Sequence, residues 1–83
     1  MHPKFEMMEP TTRFGKWLYS KMIEREITCS DVARKLRVTR QTVAFHTSGH
    51  NLPNYPFVIA YCSILGDDPE YVWKLVILDK GWS

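Results

Sequence analysis

Between Thr28 and Gly49 the chain spells two short helices with almost no linker, and this is the tightest constraint on its fold. Thr28-Cys29-Ser30-Asp31 is a capping box: the threonine hydroxyl accepts from the amide three residues on, and the acid reaches back to the cap amide. The helix it opens turns Val32, Ala33 and Leu36 inward and leaves Arg34, Lys35 and Arg37 outward or toward the turn. Val38 plugs the connection. Thr39 caps the next helix, Arg40, Gln41 and Thr42 make its first turn, Val43 anchors it inward, and Gly49 ends the helical region. Helices joined this closely pack on each other, and Ala33 is the small residue that lets them approach. Arg40, Gln41, Ala44 and Phe45 then point away from Val43, out of the core.

The rest of the chain supplies support for that pair. Residues 1–10 hold two prolines and no sustained period, which reads as an arm; Phe5, Met7 and Met8 make it apolar enough to meet the body or a protein partner. Thr11 or Thr12 caps a helix over roughly 12–26, with Phe14, Trp17, Leu18, Met22 and Ile23 at helical spacing. Gly15 costs that helix about 1 kcal/mol relative to alanine. A proline-bearing loop over 50–56 leads into a helix starting near 53 or 56 and stopped by Gly66. That helix is apolar nearly all round, which predicts a central position in the core. Asp68-Pro69 opens a last helix over 69–79, followed by a tail over 80–83. The expected architecture is all-α: one domain over 11–79 built from five helices.

Charge is unevenly spread. The net charge is only +2, yet residues 28–50 carry Arg34, Lys35, Arg37 and Arg40 against Asp31 alone. Residues 66–83 carry two lysines against four acids, and no acid lies between 32 and 66. A local basic face on a nearly neutral chain suits a nucleic-acid surface, and a solvated helix face is the bland alternative. Cys29 and Cys62 match no metal or redox spacing, and Cys62 sits in an apolar run as a buried thiol. His46-x-x-x-His50 has zinc-like spacing but lacks the paired-cysteine half, so no metal and no cofactor are expected, and His46 reads as a packed or capping side chain. No nucleophile, carboxylate pair or phosphate-cradling glycine loop stands at a useful spacing, which argues against an enzyme. No secretory or membrane-length apolar run appears, so a cytoplasmic, reduced protein with no membrane role is expected.

The outward face of the 40–48 segment carries base-reading chemistry. Arginine donates twice to guanine, glutamine pairs with adenine, and alanine or phenylalanine meets the thymine methyl. The order Asp31-Val32-Ala33-Arg34-Lys35-Leu36, Val38-Thr39-Arg40-Gln41-Thr42-Val43, Gly49 followed by Pro53, then Leu65-Gly66 resembles the lambda-repressor-like (XRE-type) helix-turn-helix regulators of phages and bacteria. The resemblance covers residues 12–78. It implies a five-helix domain that binds double-stranded operator DNA as a homodimer on a palindrome, with its third helix in the major groove, and that acts as a transcriptional repressor. Carried onto matching positions, it implies base contacts by Arg40, Gln41, Ala44 and Phe45, and phosphate contacts by Ser30, Thr39, His50, Asn51 and Asn54.

The chain departs from that family at three places. Arg37 stands where a turn glycine is usual, Cys29 where glutamine often opens the second helix, and His46-Thr47 where an aromatic-Glu pair is common. Phe45 has three destinations open: DNA, the core, or a protein partner. Trp73, Ile77, Leu78 and Trp82 form either a lid on the core or, as the excess of large apolar groups favours, a dimer interface. A rival function uses the same scaffold for protein–protein interaction, as an anti-repressor or the partner of a larger regulator. Phe45, the apolar arm and the acidic C-terminal end motivate it.

Overall fold

A computed structural model describes residues 10–81. The arm expected over 1–10, apart from Pro10, lies outside the described residues, as does Trp82. Five helices follow in order: α1 (Arg13–Arg25), α2 (Cys29–Leu36), α3 (Arg40–Ser48), α4 (Tyr55–Leu65) and α5 (Pro69–Lys80), with no strand among the described residues. The all-α expectation is met.

Local chemistry sets each helix end. Thr12, Thr28, Thr39, Asn54 and Asp68 cap the five N-termini through their side chains, and the Thr28–Asp31 capping box is complete. α4 starts at Tyr55, with Asn54 as its cap and Pro56 in its first turn, between the two starts the sequence suggested. α1 and α2 both end in left-handed residues that are not glycine, Glu26 at φ 55° and Arg37 at φ 60°. Such a residue costs about 1–2 kcal/mol. Each end recovers two backbone bonds: Glu26 N–H to Ile23 and Ile27 N–H to Met22, and Arg37 N–H to Arg34 and Val38 N–H to Ala33. That paired closure holds Arg37 in the left-handed turn without a glycine.

The core joins all five helices through Phe14, Leu18, Met22, Val32, Val43, Val58, Tyr61, Leu65, Val72 and Val76, every one fully buried. Three expectations are corrected here. Ile23 is exposed rather than inward, because the inner face of α1 is already filled by Leu18 and Met22. α4 is not buried all round: Tyr55, Ile59 and Ser63 face outward, because α1, α2 and α5 cover only its Val58–Leu65 side. Gly15 is not merely a weak helix residue. It lies where α1 crosses α3, and a Cβ there would collide with the Thr47 carbonyl oxygen.

Long-range polar contacts close the bundle. The Asp79 carboxylate, near the end of α5, accepts from the first-turn amides of Arg13 (2.9 Å) and Phe14 (2.8 Å). It thereby occupies the positive N-terminal end of α1, and the chain's described ends are held together. Trp17 Nε1 donates to Asp67 (2.8 Å), which pins the α4–α5 turn onto α1. Thr11 donates to the Ser48 carbonyl (2.9 Å), holding the end of α3 against the start of α1.

Candidate nucleic-acid interface

α2 and α3 pack as a pair joined by Arg37, Val38 and Thr39, with Ala33 and Val43 buried between them and the core. The inner face of α3 is Val43, His46 and Thr47. Thr47 donates to the Val43 carbonyl (2.8 Å), so its hydroxyl is satisfied within the helix. Cys29, at the start of α2, is buried and hydrogen-bonded to Thr47; burial pushes its thiol up despite the nearby Arg40 charge. At the head of α2 the Cys29 thiol is thus a packing contact against α3.

His46 is the central buried polar group. Its Nδ1 lies 2.7 Å from the Tyr61 hydroxyl, and its ring meets Phe57 edge-on at 4.9 Å. Burial lowers its pKa to about 4, so the imidazole is neutral at physiological pH. The packed reading of His46 therefore holds. Among the described residues no cluster of three or more metal-ligating side chains occurs.

The outward side of α3 differs in kind. Arg40 and Gln41 are exposed in its first turn. The Thr39 hydroxyl accepts from the Thr42 amide (3.2 Å) and pairs with the Thr42 hydroxyl (2.9 Å). The amides of Arg40 and Gln41 precede the first intrahelical bond and point out of the helix end. An anion is favoured at such an end.

Ala44 is a correction: it is half-buried and packs against the core, so its methyl is only partly available on the outer side. Phe45 is half-buried outside the core cluster, its ring against that of His50 at 4.4 Å between centroids and tilted by 40°. Its carbonyl accepts from Gly49 (3.1 Å) and Asn51 (3.3 Å), so the loop after α3 wraps back over it.

The remaining candidates surround this face. Ser30 is exposed in the first turn of α2, and His50, Asn51 and Asn54 are exposed along the loop. The Asn54 carbonyl oxygen is occupied in capping α4, which leaves its amide nitrogen as the outward donor. Arg34 and Lys35 are exposed on α2, and Arg37 is exposed in the turn that leads to Thr39 and Arg40. Two hydrogen bonds from Thr28 hold the Asp31 carboxyl below its usual range, and Arg34 sits 3.4 Å from it.

The second candidate surface lies on α5. Trp73 is half-buried and packs edge-on against Tyr55 of α4 at 5.4 Å, so it serves the core while one side stays open. Ile77 is half-buried, and Leu78 is 53% exposed. Tyr55, which the sequence did not single out, joins the same surface; its position four residues before Ile59 was the available signal.

Comparison with protein-family models, with curated proteins and with solved structures gave no match to this chain. Among the described residues no helix is long and apolar enough to cross a membrane.

Proposed function

We propose that this chain is a sequence-specific DNA-binding regulator of the lambda-repressor-like helix-turn-helix kind, reading palindromic operator DNA as a homodimer and acting as a repressor, as such proteins of phages and bacteria do. The observation that carries the reading is the outer side of α3. Arg40 and Gln41 are exposed at its amide-rich end, flanked by Arg34, Lys35 and Arg37, in a chain with no acid from 32 to 66. In this reading α3 enters the major groove. Arg40 and Gln41 read base edges, and Phe45, braced by His50, offers an apolar edge to a thymine methyl. Ser30, Thr39, His50, Asn51 and Asn54 hold phosphates on either side, and the acidic C-terminal end faces away from DNA.

One recognition helix reads only a few base pairs, so two copies on half-sites about 34 Å apart supply the specificity. The test is selection of bound sequences from a random duplex pool by the purified chain. A palindromic motif supports the reading. Failure of folded protein to enrich any sequence favours a protein-interaction scaffold, which the partly covered Phe45 and the open apolar side of α5 would suit. Salt separates the two: DNA affinity falls steeply as salt rises, and an apolar protein interface does not follow it.

A further inference from the structure

α5 turns only Val72 and Val76 fully into the core. On its side toward α4, Tyr55, Trp73 and Ile77 line a shallow open groove of about 410 Å³, and Glu70 and Lys74 complete the lining. Glu70 and Lys74 are exposed one turn apart, yet among the described residues neither side chain takes part in an ion pair. The start of α1 is tied down beside this groove. Thr11 is bonded to the Ser48 carbonyl, at the head of the loop that runs to Tyr55, and the Arg13 and Phe14 amides are bonded to Asp79, two residues beyond Ile77. Pro10 is therefore held between that loop and the C-terminal end of α5.

The residues before Pro10, which lie outside the described ones, match the groove in content, reach and charge order. Phe5 and Met7 alternate with Lys4 and Glu6, so an extended segment turns the apolar pair to one side and the charged pair to the other. From Pro10 back to Phe5 an extended chain spans about 17 Å, whereas α5 rises only about 9 Å from Asp79 back to Trp73. The tether therefore reaches Trp73 with length to spare for the crossing to α5. It also sets the direction. Leaving Pro10, the segment passes Ile77 first and Glu70 last, which brings Met7 to Ile77, Glu6 to Lys74, Phe5 to Trp73 and Lys4 to Glu70. Lys4 to Met7 covers about 10 Å of extended chain, as Glu70 to Ile77 does along the helix. We infer that this chain's own residues 4–7 fill the groove in that sense, with Phe5 and Met7 against Trp73 and Ile77 and with Glu6 and Lys4 beside Lys74 and Glu70. Charge selects this occupant. The opposite sense sets Glu6 by Glu70 and Lys4 by Lys74, and a uniformly acidic or basic segment satisfies one groove charge while opposing the other. On the dimeric reading above, the seated arm competes with a second copy for Trp73 and Ile77, and it leaves Tyr71 and Leu78 open.

The test follows the arm by NMR in the full chain without DNA, with the methionine methyl groups isotope-labelled. Nuclear Overhauser contacts from the Met7 methyl to the Trp73 ring are expected, unchanged on dilution. A folded chain without such contacts overturns the inference. So do contacts that fade on dilution, which put a second copy or its arm in the groove instead. Charge exchange then checks the register. Glu6→Lys and Lys74→Glu each set like charge against like, and each should lower the ratio of seated to released arm, read from the Met7 methyl shift, by about threefold or more. The chain carrying both substitutions should return to the parent ratio. Single variants that keep the parent ratio, or a double variant no better than either, overturn the inference. Circular dichroism establishes that the variants fold; should Lys74→Glu fail, Lys74→Gln takes its place, and Glu6→Lys makes the mismatch without touching α5. Since no DNA is present, failure here leaves the Arg40 reading to its own selection experiment, and failure of that selection leaves the result on the arm standing.

Discussion

The α2–α3 pair and the α4–α5 pair contribute similar aliphatic interiors and turn different surfaces to solvent. α2 and α3 hide Cys29, Val32, Ala33 and Val43 and expose Arg34, Lys35, Arg37, Arg40 and Gln41. α4 and α5 hide Val58, Leu65, Val72 and Val76 and expose Tyr55, Ile59, Tyr71 and Leu78. Burial alone would suit either surface to any role, since the fold spends the inner faces only. The difference teaches that function in so small a domain is carried by what the helices do not need for packing. The basic pair suits a polyanion, and the apolar pair suits another protein surface. His46 of α3 and Tyr61 of α4, bonded in the interior, tie the two regions together.

The comparison breaks most readily at Gly15. Gly15→Val should destabilise the domain by about 3 kcal/mol or more, because the Thr47 carbonyl is backbone and cannot step aside. Urea unfolding measures it, and a near-neutral result would show that α1 and α3 do not meet as closely as described.

The bond between the two regions gives the next largest effect, through pH. Unfolded His46 takes up a proton near pH 6.5, and folded His46 only at about 4. As pH falls through that window the unfolded state binds the proton first, so stability drops by about 3 kcal/mol between the two values. His46→Gln should flatten this loss in urea unfolding curves taken across the same range. An unchanged slope would place the responsible group elsewhere.

Two smaller effects sharpen the contrast between the surfaces. Arg40→Ala should weaken DNA binding by about 1–3 kcal/mol and relax preference at one position of the selected motif; a loss equal for all sequences would make Arg40 a phosphate contact instead. Trp73→Ala, on the other surface, should weaken the dimer in ultracentrifugation while leaving the sequence preference of each half-site intact. Smallest is Arg37→Gly, which relieves the left-handed backbone and should stabilise the fold by about 0.5–1 kcal/mol. If it also lowers the salt dependence of DNA binding by about one charge, Arg37 touches a phosphate.

Much of the fold was legible because helix ends are local events. Thr28 and Asp31 are three residues apart, Asp68 adjoins Pro69, and Gly49 and Gly66 follow their helices directly, so short stretches announced all five helices within a residue or two. The candidate interface was legible in part. Spacing from Val43 put Arg40 and Gln41 outside, but it could not tell that Ala44 leans into the core or that Phe45 rests on His50, since the first depends on how α3 seats against its neighbours and the second on where the following loop returns.

By itself, then, the sequence determined which segments become helices, where they stop, that positive charge gathers on the α2–α3 pair, and that α5 carries more apolar side chains than one face can bury. Only the tertiary structure decided that Gly15 is a crossing point, that Asp79 caps a helix 65 residues away, and that His46 finds Tyr61. Caps and periodicities act within one or two turns, so their partners are written side by side. Crossings and buried polar pairs join residues far apart in the chain, and their partners are fixed only when the helices settle at particular distances and angles.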